Sequence, residues 1–304
     1  MNGFTRIPSL VLAGLFLIAA SDTVSAADKP DVDIKDTIKK TFEVRPGGSL
    51  YLDLDRGDVE VRIGSNNEVM IEVVRIIGVD SRAEAKEMLE AHELNFDHDG
   101  DDVSLESRFD DDAWNWKRWR DKNRFRMTVT VLIPQDYDVE VTSGAGNIRA
   151  ESIEGDIDIR TGAGNVDIGH IRGGVEISTG SGNISVSSVD GGMDVRAGAG
   201  NIMIGDVRGE LNAHTGAGNI SARITRQPDK DSNLMTGAGN VTAYLADDIS
   251  VNVDASAKVG SCSTDFPLRV EGKWMSKSFA GDINGGGPDL VLRSGVGNVS
   301  LKQI

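Results

Sequence analysis

The stretch Thr161-Gly-Ala-Gly-Asn165 is one copy of a motif that recurs along the chain at a regular spacing. Each copy ends on an asparagine, and the first five of these asparagines are 18 residues apart, while the sixth follows after 21. The series consists of Asn147, Asn165, Asn183, Asn201, Asn219, Asn240 and a C-terminal copy at Asn298. A fixed period of this length is typical of stacked structural repeats.

Apolar residues occupy fixed positions within each repeat, at one and three and again at ten and twelve residues after the asparagine. Because the two members of each pair lie two residues apart, each repeat predicts two short strands with one apolar face. The columns include Ile148, Val166, Ile184, Ile202 and Ile220, and then Ile157, Val175, Met193 and Leu211.

These columns predict an all-β protein, a single-stranded parallel β-solenoid (β-helix) with 18-residue coils. We expect it to be right-handed, because parallel crossovers usually are. Coils stacked at the inter-strand spacing of about 4.8 Å would give about six coils in a rod of roughly 25–30 Å.

Composition agrees with many short strands and tight turns, since 36 of the 304 residues are glycine and only 5% are aromatic. The formal net charge is -16 and the pI is about 4.7. Nucleic-acid binding needs a basic footprint, so this balance argues against nucleic acid as a partner. An acidic surface favours cations or basic partners instead.

Residues 1–26 have the layout of a secretory signal peptide. Arg6 precedes an apolar run from Ile7 to Ala20, and Val24-Ser25-Ala26 places small residues before the expected cleavage bond. The run is shorter than the roughly 20 residues that a membrane span needs, so an uncleaved anchor is the weaker alternative. We expect an exported protein, periplasmic or at the cell surface, with residues 27–40 as a flexible lead-in.

Residues 41–141 predict an irregular β-rich N-terminal part that covers one end of the solenoid. Its alternation of apolar and polar residues stops near residues 81–94, where the spacing of the apolar residues predicts one short helix. Ser81 is the expected N-cap and Glu84 completes a capping box, while His92 falls on the apolar face of the helix.

A tryptophan-rich insertion at 110–122 interrupts this part and combines aromatic with basic residues. We identify as candidate partner-binding residues Trp114, Trp116, Lys117, Arg118, Trp119 and Arg120. Such side chains can dock on sugar rings, on a lipid headgroup region or on a partner protein. The alternative is an excursion that folds its tryptophans onto the end of the solenoid.

Two charged columns follow the predicted outer surface. The column seven residues after the asparagines alternates in sign and consists of Glu154, Arg172, Asp190 and Arg208. The column eleven residues after them brings together Asp158, Glu176 and Asp194, followed by Asn212. These stacked like charges form either a solvated face with lateral ion pairs, for which the next column supplies Arg160 and Arg196, or a weak site for a cation or basic ligand.

The glycine-rich phrases do not predict a phosphate loop, because they repeat and lack the following lysine. A calcium roll needs a recurrent aspartate, but the column of Asp167 also holds arginine, serine and methionine. The four histidines are dispersed and no nucleophile motif is present. We therefore expect no enzyme, no cofactor and no dedicated metal centre.

The regularity loosens after Ala243, and residues 258–287 predict an irregular excursion. The segment Leu290–Leu301 then restores the repeat, so we expect the C-terminus to add a last, capping coil within a solenoid that spans 142–304.

Three stretches together resemble a known family. They are the segment from Thr41 to Val61, the repeated Thr-Gly-Ala-Gly-Asn phrases and the closing segment from Gly285 to Val299. The chain is similar over residues 40–304 to bacterial β-strand-repeat proteins labelled "putative adhesin", a domain of unknown function. The resemblance implies the solenoid fold and supplies no catalytic residues, and the tryptophan-rich insertion departs from it.

The resemblance and the export segment together favour a non-enzymatic cell-envelope protein, an adhesin or scaffold that presents a rigid rod. Its main rival is a carbohydrate- or cation-binding envelope module, and a polysaccharide-acting enzyme comes after that. The expected partners are an envelope protein, a glycan or a membrane surface, and the rods could also associate end to end.

Overall fold

The computed structural model describes residues 32–79, 81–109, 125–272 and 276–304. The N-terminal elements are β1 (Val32–Glu43), β2 (Gly48–Leu54), β3 (Asp58–Ile63), β4 (Glu68–Val79), α1 (Arg82–Glu90), β5 (His92–Asp99), β6 (Asp102–Phe109) and β7 (Phe125–Ile133). The repeats supply β8 (Tyr137–Ser143), β9 (Ile148–Ala150), β10 (Ile157–Ala163), β11 (Val166–Ile171), β12 (Val175–Ser181), β13 (Ile184–Val189), β14 (Met193–Ala199), β15 (Ile202–Val207), β16 (Leu211–Ala217), β17 (Ile220–Ile224), β18 (Ser232–Ala238) and β19 (Val241–Leu245). The C-terminal strands are β20 (Val251–Val259), β21 (Cys262–Thr264), β22 (Lys277–Ile283), β23 (Asp289–Val296) and β24 (Val299–Gln303).

The strands form two 12-stranded sheets. Sheet I has the order β1-β4-β7-β3-β9-β11-β13-β15-β17-β19-β24-β21, and sheet II has the order β22-β20-β23-β18-β16-β14-β12-β10-β8-β2-β6-β5. Each repeat places one strand in each sheet, and equivalent residues of successive repeats pair in parallel, as Ile159 does with Ile177. The predicted all-β parallel solenoid is confirmed. Twelve strands at about 4.8 Å make a rod of about 50 Å, longer than the repeats alone had indicated.

The core lies between the two sheets and is filled by the predicted apolar columns. Ile148, Ile159 and Ile177 are each at most 1% exposed. Successive side chains of a strand point to opposite faces, so every second residue enters the core and its neighbours face solvent. The outer face is therefore free to carry charge without cost to the core.

Glycines make the corner between the two strands of a repeat. A Cβ on Gly162 would lie 2.4 Å from the carbonyl oxygen of Gly144 in the preceding coil. Gly164 has φ +140, and its Cβ would lie 1.9 Å from the oxygen of Gly146. The phrase Gly-Ala-Gly is therefore required by close stacking as well as by backbone conformation.

The solenoid begins earlier than residue 142. β2 pairs in parallel with β8, and β3 pairs in parallel with β9, so residues 48–63 form a coil of the same stack. β6 and β7 pair in parallel with β2 and β3 on their other side. Part of the segment 41–141 therefore belongs to the solenoid. The coil formed by β2 and β3 comes first in the sequence, but in the stack it lies between other strands on both sides.

Two further expectations for this part need correction. The flexible lead-in at 27–40 is wrong from residue 32 onward, because β1 pairs along its whole length with β4. The helix keeps its predicted start, where Ser81 Oγ accepts a hydrogen bond from the backbone of Glu84 at 3.2 Å. It ends at Glu90 rather than near Leu94, since His92 opens β5 and pairs with Phe109 of β6.

The C-terminal end departs from the expected order in a similar way. β23 pairs with β18 on one side and with β20 on the other, and β24 lies between β19 and β21. The coil formed by β23 and β24 is the last in the sequence, but it lies between two other layers of the stack. It therefore does not cap the rod. The excursion at 258–287 instead contributes β21 and β22 to the outermost layer, with β22 antiparallel to β20.

Candidate functional site

The outer face of sheet II carries a groove of about 550 Å³ across the start of its strands. The predicted acidic column lines this groove, because Asp158 pairs with Glu176 and Glu176 pairs with Asp194 along adjacent strands. The structure thus brings the three predicted acids together in one continuous row. Beyond Asp194 the row continues to Asn212, as the spacing indicates.

Further acids extend the groove and were missed by the sequence analysis. Glu140 pairs with Asp158 from the preceding strand, and the neighbouring column adds Asp138 and Asp156 and, beyond Gly174 and Gly192, Glu210. Tyr51, at 42% exposed one of the few exposed aromatic side chains described, closes the end of the groove. Counting back 18 residues from Asp158 and Asp156 would have found Glu140 and Asp138, although no Gly-Ala-Gly-Asn phrase precedes them.

Arg160 neutralises the centre of this row. Its guanidinium lies 2.6 Å from Asp158, 3.6 Å from Glu140 and 3.9 Å from Glu176. Arg196 lies 2.7 Å from Asp194. The lateral ion pairs expected from the sequence are therefore present, and the acids still outnumber the arginines, so the groove keeps a net negative charge.

The carboxylates of the groove differ in what they can offer a ligand. Asp138 accepts the backbone N–H of Asp156 at 2.7 Å, and Asp156 accepts that of Gly174 at 2.6 Å, so both hold the backbone. The Oδ1 of Asp158 is buried and accepts no hydrogen bond from the described residues. Within those same residues, no group of three or more His, Cys, Asp or Glu side chains is arranged to hold a metal ion.

The column seven residues after the asparagines, whose charges alternate in sign, forms only some of the predicted ion pairs between coils. Arg172 pairs with Glu154 of the preceding coil, as the alternation predicts. Asp190 instead pairs with Arg226 at 2.8 Å and lies 3.5 Å from His170. The charge column therefore cross-links coils, but with one partner that the period does not reveal.

A serine, a histidine and an aspartate meet at the carboxyl ends of β11 and β13, in the middle of sheet I. His170 Nδ1 lies 2.5 Å from Ser188 Oγ, and its Nε2 lies 3.5 Å from an Asp190 oxygen, which is long for a hydrogen bond. The Asp190 carboxylate is already engaged by Arg226. The two grooves described on the surface are lined by other side chains, although the second one includes Gly169 and Ser187 beside this cluster.

The candidate partner-binding residues of the insertion, Trp114 to Arg120, lie outside the described residues. The two described residues that flank the insertion are Phe109 and Phe125, whose ring centroids are 4.9 Å apart. The described residues on either side of the insertion therefore lie next to each other, at the N-terminal end of the rod.

The fold and groove define the class, an elongated β-solenoid with an acidic outer face. The family model of Toastrack DUF4097 matches residues 49–302, and the chain belongs to this family of unknown function. No curated protein matches the sequence. Among the described residues, no helix is long and apolar enough to cross a membrane.

Several solved structures are similar to this chain. A "putative adhesin" from Bacteroides fragilis is 12% identical over 88% of this chain and 97% of that chain, with a TM-score of 0.47. A "putative cell adhesion protein" from Clostridium sporogenes is 14% identical over 88% and 100%, with a TM-score of 0.27. A "putative lipid binding protein" from Parabacteroides distasonis is 10% identical over 88% and 96%, with a TM-score of 0.24. These names describe adhesin-like or lipid-binding proteins and name no enzyme.

Proposed function

We propose that this protein is an exported, non-enzymatic component of the cell envelope that acts as an adhesin or scaffold by presenting a rigid rod. The observation that carries the proposal is the unbroken stack of coils, in which hydrogen bonds join each coil to the next in both sheets and along the asparagine corner. The names of the similar structures add no weight, since their TM-scores are low.

Rigidity follows from how the coils are joined. Along the corner from Asn147 to Asn219, each asparagine accepts two hydrogen bonds from the next one, as Asn165 does from the backbone and side-chain amides of Asn183 at 2.9 and 3.3 Å. A bend at any coil would break these bonds together with the strand pairs on both sides. The rod therefore holds its surface residues at fixed positions.

The outer faces are large enough for a stable interface. A sheet about 50 Å long with strands about 20 Å across exceeds the roughly 800 Å² per partner that a standard interface buries. Such a face suits recognition of another protein or of a polymer better than capture of a small molecule. This supports adhesion or scaffolding as the role of the rod.

The acidic groove favours a second candidate function, a carbohydrate- or cation-binding envelope module. Its row of carboxylates outnumbers the arginines and can attract a cation or a basic ligand, and Tyr51 offers an aromatic face beside them. The tryptophans of the insertion could add further stacking surfaces. Under this alternative the groove or the insertion, rather than the rod itself, determines binding.

Localisation is the first experiment. Fractionation of intact cells, protease accessibility and the intact mass of the recovered chain should place the protein in the envelope with its N-terminus at Ala27. Full-length protein in the cytosol would overturn the proposal. Recovery of an uncleaved chain in the membrane would favour the anchor alternative.

Adhesion is tested with a deletion strain complemented by variants. Loss of attachment to surfaces or neighbouring cells, restored by the wild-type chain, supports the adhesin role. Complementation by the triple variant Asp158→Asn, Glu176→Gln, Asp194→Asn and by Trp116→Ala then separates the alternatives. If both variants restore attachment fully, the rod is sufficient; if either fails while folding normally, the binding-module function replaces it.

A further inference from the structure

A chain of buried polar side chains crosses the N-terminal end of the rod. Asp36 of β1, Arg75 of β4, His92 of β5 and Ser107 of β6 are all less than 9% exposed. They come from both sheets, since β1 and β4 belong to sheet I and β5 and β6 to sheet II. We call β1, α1 and β5 the N-terminal cap, because β1 and β5 are the outermost strands here and α1 packs against both.

The hydrogen bonds of this chain are continuous. Arg75 donates to one oxygen of Asp36 from Nε at 2.8 Å and from Nη2 at 2.5 Å. Its Nη1 lies 3.2 Å from both Nδ1 and the carbonyl oxygen of His92. His92 Nε2 lies 2.9 Å from Ser107 Oγ, which in turn donates to the sulfur of Met127 at 3.8 Å.

These contacts set the protonation of His92. A guanidinium only donates, so Nδ1 must accept from Arg75 and the ring proton must be on Nε2, where it bonds Ser107. A second proton on Nδ1 would place two donors and two positive charges face to face. The rings of Phe109 and Phe125, at 4.5 and 4.9 Å, and Met127 of β7 offer no compensating charge.

Among the described residues, two charged side chains lie in the buried cluster with His92. β4 supplies Arg75 and β1 supplies Asp36, whose carboxylate is already bonded twice by Arg75, while α1 packs its buried Ala85 and Met88 at this end. With a neutral ring the cluster carries one positive and one negative charge. Protonation of the ring would leave one buried positive charge without a partner.

We propose that Asp36, Arg75, His92 and Ser107 form an acid-sensitive latch that holds the N-terminal cap on the rod and releases it when His92 is protonated. Release would bare β4 and β6, and an unpaired strand edge is a template for pairing with another chain. The latch thus links acidity to the state of one end of the rod. It does not depend on the adhesin or scaffold role proposed above.

The direction of the pH effect follows from the difference in the pKa of the His92 ring between the closed and the open cap. Burial and then the charge of Arg75 lower the pKa of His92 to about 3 in the closed state, while a solvated imidazole has a pKa of about 6.5. The open state therefore binds more protons between these two values. The closed cap is favoured above about pH 6.5, and the opening equilibrium rises by up to about tenfold per pH unit as the pH falls towards 3.

Hydrogen exchange of the full chain, corrected for the intrinsic pH dependence of exchange, tests the latch between pH 7 and 4. Amides of α1 and β5 should lose protection by up to about tenfold per pH unit, while those of β12 in the middle of the rod should not. His92→Gln removes the titration but keeps an acceptor and a donor, so its cap should show no such slope. His98→Gln changes an exposed histidine of the same strand and should retain it.

Two results would overturn the latch. One is a parallel loss of protection in the cap and in β12, which indicates global unfolding. The other is an unchanged pH slope in His92→Gln. If that variant does not fold, exchange of the His92 ring C–H in the wild-type chain decides, because titration near pH 6.5 with the cap still protected would contradict the proposal.

Discussion

Asn147 donates its backbone N–H and its side-chain amide to one oxygen of Asp58, at 2.8 and 3.1 Å. The same pair of bonds recurs from coil to coil along the asparagines, as between Asn219 and Asn201 at 2.9 and 3.0 Å. At the far end Asn298 accepts from Ser261 instead. The side-chain amides from Asn147 to Asn240 point their N–H groups towards Asp58. A carboxylate, which only accepts and is negative, therefore terminates the ladder at its positive end.

The first prediction concerns this terminus. Asp58→Ala removes the acceptor of two hydrogen bonds and should lower the free energy of unfolding by about 1–2 kcal/mol. Asp58→Asn keeps an acceptor and should cost less. Urea unfolding measures both against Asp248→Ala, an exposed aspartate outside the ladder. Equal midpoints for Asp58→Ala and Asp248→Ala would show that the terminus contributes nothing.

The second prediction concerns the corner. Gly164 has φ +140, and Gly164→Ala places a Cβ 1.9 Å from a carbonyl oxygen. This variant should lower the free energy of unfolding by more than about 3 kcal/mol. Gly100→Ala has a positive φ of +66 but no atom within 4 Å of the new Cβ, and should cost about 1 kcal/mol. The difference between the two urea midpoints isolates the stacking clash. A similar shift for both would mean that conformation alone selects glycine.

The corner was predictable from sequence because the phrase repeats, but the terminus of its ladder was not recognised. Gly57-Asp58 occupies the place of Gly146-Asn147 in the adjoining coil, where β3 pairs with β9. Aspartate supplies the same acceptor geometry as asparagine, so a search that allowed Gly-Asp would have found this coil. The acidic row of Asp158, Glu176 and Asp194 was predicted because it follows the same period.

The order of the coils could not be predicted from the pattern. Every coil presents the same apolar columns to its neighbours. The pattern therefore lets β23 pair with β18 on one side and with β20 on the other, although these strands are not consecutive in sequence with it. Local periodicity therefore fixes the coil but not its position in the stack. The buried chain from Asp36 to Ser107 was missed for a related reason, since its members belong to four strands that are distant in sequence and share no spacing.

The third prediction concerns the acidic groove. Arg160→Ala leaves Glu140, Asp158 and Glu176 stacked without their shared cation, and should cost about 0.5–1 kcal/mol at low ionic strength. The loss should shrink in 1 M salt, since screening weakens the repulsion. Arg293→Ala, which removes a comparably exposed arginine that pairs with the single carboxylate of Asp254 among the described residues and also donates to Ser256, is the control. A loss that does not depend on salt would assign Arg160 a packing role instead.

The last prediction compares two ion pairs that join the same strands, β1 and β4. Arg75→Met leaves Asp36 buried without its cation and should lower the free energy of unfolding by about 3–5 kcal/mol. Lys39→Met removes the exposed pair with Glu72, at 2.5 Å, and should cost less than about 1 kcal/mol.

The single variant Asp36→Leu and the double variant Asp36→Leu, Arg75→Met complete a thermodynamic cycle with Arg75→Met for the buried pair. Because the cost of Arg75→Met is mainly that of an uncompensated buried charge, removing Asp36 as well should recover most of the lost stability, as measured by urea unfolding at pH 7. Additive losses would contradict this account. Asp36 and Arg75 would then contribute independently of each other, and the loss in Arg75→Met would come from its contacts with His92 rather than from an uncompensated charge on Asp36.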